Sequence, residues 1–231
     1  MKARTSARSG YLVSLAVIVA TTFPAAAPAQ EYFNTVKAKL EAGGQVVGGT
    51  VTTPDVNVYC AMASAGFDFL WIEMQHSPLT YSEVATMIRA CPGPAIPFIR
   101  VPDATEGDIQ KAVDIGALGV IVPMVDTVEK IENAITFAMY PPLGKRSQGG
   151  GQYGALWGRN YRQQANDNIM MVAMIENPQG VEIVDEIAAL EHCRRDFRGE
   201  LGFEQLHRPA PGRPRLRGDH HAHQGRDAGR R

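Results

Sequence analysis

The stretch "PFIRVPDATEGDIQKAVDIGALGVIVPMV", residues 97–125, decides how the chain is read. It opens with an apolar run ending in Arg100 and closes with a second one, "LGVIVPMV" (118–125). Between them Thr105 stands three residues before Asp108, a spacing that opens a helix because the threonine oxygen accepts an orphan backbone N–H. That helix ends at Asp114. Strand, capped helix and strand in so short a span make a βα unit leading into the next strand, and strands joined this way lie parallel.

The unit recurs on both sides. Apolar runs rich in β-formers occur as "QVVGGTVT" (45–52), "FDFLWIEM" (67–74), "AIPFIRV" (95–101) and "NIMMVAMIE" (168–176), and each reads as a strand. Helix starts follow at Thr53-Pro54, Thr80 with Glu83, Asp126 with Glu129, and Asn177-Pro178, all with residues suited to capping. Strand centres near 48, 71, 98, 121 and 172 step by roughly 25 residues, with one double step. The gap predicts a short strand near residue 146, in "GKRSQGGGQYGALWG" (144–158), and then a long loop. Strands apolar on both faces, alternating with amphipathic helices, predict a parallel sheet with helices outside. The expected fold is an α/β (β/α)8 barrel, incomplete, with about six of its eight units; a doubly wound open sheet is the alternative.

Two ends bracket this core. Residues 1–29 combine Lys2, Arg4 and Arg8, an apolar run from Tyr11 to Phe23, and Ala27-Pro28-Ala29, the pattern of a secretory signal peptide cut after Ala29. The apolar run is too short to cross a bilayer core of ~30 Å, so a periplasmic or secreted chain without a membrane anchor is expected. Three cysteines, Cys60, Cys91 and Cys193, do not make a disulfide scaffold; buried free thiols are the first reading for Cys60 and Cys91, and a single bridge the second. A net charge of −1 supplies no electrostatic reason to expect nucleic acid.

Residues 30–191 make the barrel domain, and from His192 to Arg231 the pattern breaks. That stretch holds ten arginines, five of the six histidines, and no Ile, Val, Met or Lys. One reading is a basic tail with His220, His221 and His223 as a metal-binding tract; the other is a shifted reading frame. Codons allowed for His192–His207 regroup, one base on, into Ile-Ala-Gly-Val-Ile-Phe-Val-Gly-Ser-Ser-Asp-Leu-Ser-Asn-Phe, an apolar strand where the rhythm calls for one. Without its last strands the barrel would expose sheet edges, and instability or aggregation is expected.

Barrel chemistry sits at the C-terminal ends of the strands. Those ends carry Glu73, Gln75 and His76 after the second run, Arg100 after the third and Glu176 after the sixth, counting the strand expected near 146. His76 is the one histidine before the tail, suited to proton transfer near neutral pH. Arg100 at an apolar strand end needs an acidic partner, from Glu73, Glu176 or a substrate. Glu176 is a hard oxygen donor of the kind that Mg²⁺ or Mn²⁺ takes. Asp114 lies on the opposite rim, where only a neighbouring subunit could bring it to a mouth.

Taken together, "AGFDFLWIEMQHSPLT", the stretch from Pro97 to Gly149 with its Arg-Val-Pro, Asp-Ile-Gly-Ala, Pro-Met-Val-Asp-Thr and Tyr-Pro-Pro-x-Gly, and "MVAMIENPQGVEIVDEIAAL" resemble the HpcH/HpaI aldolase family. The resemblance runs from about Val46 to Leu190. It implies a phosphoenolpyruvate/pyruvate-type barrel, typically a homo-hexamer, that cleaves 4-hydroxy-2-oxo acids to pyruvate and an aldehyde with a divalent metal, Mg²⁺, Mn²⁺ or Co²⁺. By motif it implies His76 as general base, Arg100 on the oxo or enolate oxygen with Glu73 beside the substrate, Glu176 on the metal, and Asp114 orienting the histidine across a subunit contact.

The chain departs from the family where Glu73-Met74-Gln75-His76 replaces Asp-Gly-Glu-His and where Met174 replaces a glutamine. It also lacks the Gly-Pro-x-Asp-Leu motif that carries the second metal carboxylate. The regrouped frame would restore an aspartate at the place of Gly202. The reading is a metal-dependent aldolase, impaired as written; an inactive periplasmic binding or scaffold protein that keeps the acid pocket is the alternative.

Overall fold

The computed structural model describes residues 33–190; the leader, the tail and the position of Gly202 lie outside the described residues. The strands are β1 (Gly48–Val51), β2 (Phe69–Glu73), β3 (Ile96–Arg100), β4 (Gly119–Val122) and β5 (Met170–Ala173). They form one parallel sheet in the order β1-β2-β3-β4-β5. Helix α1 (Thr35–Glu41) precedes β1, and α2 (Val56–Ala63), α3 (Tyr81–Ala90), α4 (Glu106–Asp114) and α5 (Val128–Ala138) follow the first four strands in turn. Then come α6 (Tyr153–Trp157), α7 (Tyr161–Asn168), β5, α8 (Pro178–Glu182) and α9 (Val184–Ala189). Sequential parallel strands with a helix in each connection are the barrel-type α/β arrangement expected from the 25-residue rhythm.

Local chemistry explains most helix starts. Thr80 and Glu83 make a reciprocal capping box, Thr105 accepts from the Asp108 N–H, and Asn177 caps α8 with Pro178 at its first position. Two expected caps move by one or two residues: Asp55, not Thr53-Pro54, accepts from Asn57 and Val58, and Thr127, not Asp126, accepts from Lys130. In each case the side chain whose oxygen reaches the N2 or N3 amide wins over its neighbour.

The inner strands β3 and β4 are buried on both faces, at every residue, as two-sided cover requires, while β1 alternates exposed and buried residues. Phe69 pairs with Gly48, and Phe98 with Gly119. A methyl group on Gly48 would come within 2.2 Å of the Phe69 ring, and one on Gly119 within 2.2 Å of Phe98. Small residues therefore make room for two large rings, whose centroids lie 4.9 Å apart, in the small-against-large packing of a barrel interior. The helices close the other face with residues at helical spacing, such as Val84, Met87 and Ile88 of α3 and Ile131, Ala134, Ile135 and Ala138 of α5.

Two expectations are corrected. No strand forms near residue 146: β5 pairs directly with β4, so the described residues hold five strands and the expected six-unit count falls by one. A loop begins instead at the cis Pro141–Pro142 bond and carries Arg146, whose side chain is fully buried. Arg146 donates to Asp114 Oδ1 at 2.6 Å and Tyr161 Oη at 3.1 Å, and the Tyr140, Tyr153 and Tyr161 rings surround it. Burial opposes its charge, but Tyr161 and the Asp114 carboxylate outweigh that and raise its pKa. A cation held this way anchors a loop; it has no partner strand to extend.

The second correction concerns the thiols. Cys60 and Cys91 form a disulfide across a Cα–Cα distance of 5.3 Å, inside the range a bridge spans. Cys60 lies in α2 and Cys91 caps the end of α3; these consecutive helices pack side by side, which sequence spacing alone does not reveal.

Candidate functional site

Parallel register assembles the site. Glu73 and Arg100 are the last residues of β2 and β3, and they are direct pairing partners. Their side chains therefore leave the sheet on one face at one level. Arg100 Nη1 donates to Glu73 Oε2 at 3.0 Å, with the two side chains 10% and 8% exposed. Arg100 Nη2 lies 3.7 Å from Glu176 Oε1, three residues beyond the end of β5. The guanidinium, 6.0 Å from the Trp71 ring centroid, is thus shared by two carboxylates, as a buried cation at a strand end requires.

Glu73 is satisfied on both oxygens. Oε1 accepts the backbone N–H groups of Gln75 at 2.8 Å and His76 at 2.9 Å. Oε2 accepts the Trp71 indole N–H at 3.1 Å besides Arg100. Burial pushes the Glu73 carboxyl up, but the His76 amide, the indole and the guanidinium together outweigh it and hold its pKa below the usual carboxylate value. The same bonds wind residues 73–79 into a turn: Ser77 Oγ donates to the Glu73 carbonyl and accepts from Leu79. His76 is left exposed at the mouth, and its imidazole takes no hydrogen bond among the described residues.

Glu176 is held differently. Its Oε2 accepts the Met124 N–H at 2.9 Å, while Oε1 faces Arg100 from beyond hydrogen-bond distance. Met124, just past β4, has φ 51° and is the one non-glycine with positive φ among the described residues. Its N–H is a contact to Glu176 that sequence reasoning missed, since a backbone donor has no residue signature. Trp71 was missed too, although its place two residues before Glu73 puts it on the same strand face.

Asp114 does not join this group in one chain. It closes α4 at the other rim, paired with Arg146. No three His, Cys, Asp or Glu side chains gather in metal-binding geometry among the described residues. Glu176 Oε1 nevertheless fits as a single carboxylate donor, since a magnesium-like ion completes its shell with water and substrate oxygens; Glu73, with four donors on it, does not have that freedom. Gln75 Oε1 and Arg100 Nε are buried without partners among the described residues.

The family model for HpcH/HpaI aldolase/citrate lyase matches residues 54–199. The hydroxypyruvate/pyruvate aldolase of Rhizorhabdus wittichii is 32% identical over 179 residues, 76% of this chain and 71% of that protein. The 4-hydroxy-2-oxovalerate aldolase of Novosphingobium aromaticivorans is 32% identical over 72% of this chain and 64% of that one. The solved structure of an HpcH/HpaI aldolase/citrate lyase family protein from Burkholderia cenocepacia J2315 superposes with a TM-score of 0.64 at 29% identity, over 69% of this chain and 66% of that chain. The chain thus spans about two thirds of the length of these relatives. The family model covers more than half of the chain, and the chain belongs to the HpcH/HpaI aldolase/citrate lyase family.

Proposed function

We propose that the chain derives from a lyase that cleaves 4-hydroxy-2-oxo acids to pyruvate and an aldehyde at the mouth formed by β2, β3 and β5. The observation that carries this is Arg100, buried between two carboxylates at the strand ends, with an exposed His76 on the segment that Glu73 holds. The His76 imidazole would take the proton of the 4-hydroxyl. The bond between C3 and C4 then breaks, the C4 oxygen becomes the aldehyde carbonyl, and the electron pair moves to the C3 side as an enolate, which regains a proton at C3. Arg100 faces the oxygen on which that charge gathers, and a preorganised cation there lowers the barrier.

Glu176 would hold a divalent ion, Mg²⁺ or Mn²⁺ by its hard-oxygen chemistry, and such an ion, when bound, polarises the oxo group as a Lewis acid. The relatives' names, hydroxypyruvate/pyruvate aldolase and 4-hydroxy-2-oxovalerate aldolase, support the oxo-acid class. The second carboxylate falls at the place of Gly202, so activity as written should be low. The Cys60–Cys91 bridge and the leader-like start support an oxidising, exported setting.

The test is pyruvate release from a 4-hydroxy-2-oxo acid with Mg²⁺ or Mn²⁺, for the chain as written and for a version with the frame restored after Glu191. Restored turnover that falls at least ~100-fold in His76→Ala is expected of a general base. Turnover unchanged in His76→Ala would defeat the mechanism, and oxo-acid binding without turnover in the restored chain would favour a binding protein.

A further inference from the structure

We infer that Lys130 is a positioning residue for Glu176, acting through the backbone of Met124; this rests on the reading of Glu176 as the metal carboxylate. Three observations converge. Met124 is held at φ 51°, a conformation that a side chain with a Cβ rarely adopts unless its surroundings impose it. Both of its backbone polar groups are tied: the N–H to Glu176 Oε2 at 2.9 Å and the carbonyl to Lys130 Nζ at 3.2 Å. Val125, the next residue, donates to the Met174 carbonyl at 3.0 Å, so the arch is also fastened to the exit of β5.

The placement of Lys130 itself needs a reason. It is the third residue of α5, after the cap Thr127, where the helix dipole disfavours a cation. The Met124 carbonyl and Asp103 Oδ1, 3.4 Å away, offset that. The side chain of Lys130 is 23% exposed, against 64% for Asp103, so the lysine is the better-buried member and the carbonyl its fixed partner. The chain of contacts runs from the loop after β3 through α5 and the loop after β4 to the carboxylate beyond β5. With Met124 pinned from its carbonyl side, its N–H occupies Oε2, so an ion would reach Glu176 through Oε1, the oxygen that faces Arg100.

Mn²⁺ binding to the frame-restored full chain, followed by electron paramagnetic resonance, tests this apart from turnover. Lys130→Met should weaken Mn²⁺ roughly tenfold, the lower end for loss of a group that orients a ligand. Lys130→Arg, which can still donate to the carbonyl, should recover most of that loss, and the melting temperature should hardly move in either. Glu176→Gln marks the loss of the ligand itself. If Glu176→Gln abolishes Mn²⁺ binding while Lys130→Met leaves it within about twofold, where the expectation is a tenfold loss, this inference is overturned and the metal reading stands. If the unsubstituted chain binds no Mn²⁺, or Glu176→Gln binds it equally well, both fall.

Discussion

Replacing Glu73 with glutamine tests whether the buried network at the strand ends is as tightly coupled as its geometry indicates. The carboxylate accepts four donors: the N–H groups of Gln75 and His76 on one oxygen, the Trp71 indole and Arg100 on the other. An amide keeps one oxygen and turns the other into a donor. If the amide oxygen serves the backbone pair, its NH2 faces the indole N–H and the guanidinium, and Arg100 keeps only Glu176 at 3.7 Å. Removing one partner of a buried ion pair costs about 3–5 kcal/mol; the residual Glu176 contact argues for the lower end, about 3 kcal/mol. For a domain of this size that lowers the melting temperature by roughly 6–12 °C.

Acid should act like the substitution. The Glu73 pKa is lowered in the fold from its ordinary 4.5. A depressed carboxyl contributes stability that is fully present above the unfolded value and is lost as pH falls through the lower folded one. The gap between wild type and Glu73→Gln should therefore be full at pH 7 and shrink below pH 4.5. Urea unfolding at several pH values measures it. A gap at pH 7 under about 1 kcal/mol, the size of an exposed pair, or one that stays constant on acidification, would refute the coupling.

Two more perturbations probe the frame around the site. Reducing the Cys60–Cys91 bridge, which spans 31 residues including all of β2 and the His76 turn, should cost about 3–4 kcal/mol on the loop-entropy model, seen as a lower melting temperature with dithiothreitol that Cys60→Ser reproduces without it. Gly119→Ala would drive a methyl into the Phe98 ring at 2.2 Å and should cost about 1–3 kcal/mol in denaturant unfolding, while a companion Phe98→Leu that shortens the ring side chain should recover part of the loss.

Much of this is legible in the sequence. Strand runs, capping pairs and their spacing are local features, so the parallel α/β class and the polar residues at or just past the strand ends, Arg100, His76 and Glu176, follow from residue order and period. The aldolase resemblance rests on the same segments. What order could not supply was pairing. That Glu73, rather than a substrate, is the first partner of Arg100 depends on a one-residue register between β2 and β3, which no single strand encodes.

The glycine-rich stretch around Arg146 falls where the rhythm calls for a strand, but the buried guanidinium fixes it as a loop. Its three tyrosines and Asp114 are scattered in sequence and meet only in the fold. The Met124 amide has no residue-level signature at all, since it is a backbone group. Sequence by itself therefore determined which elements form and which chemistry lies at their ends. Tertiary structure decided which groups share a proton, a charge or a bridge, because those energies depend on distances of a few ångströms between segments far apart in the chain.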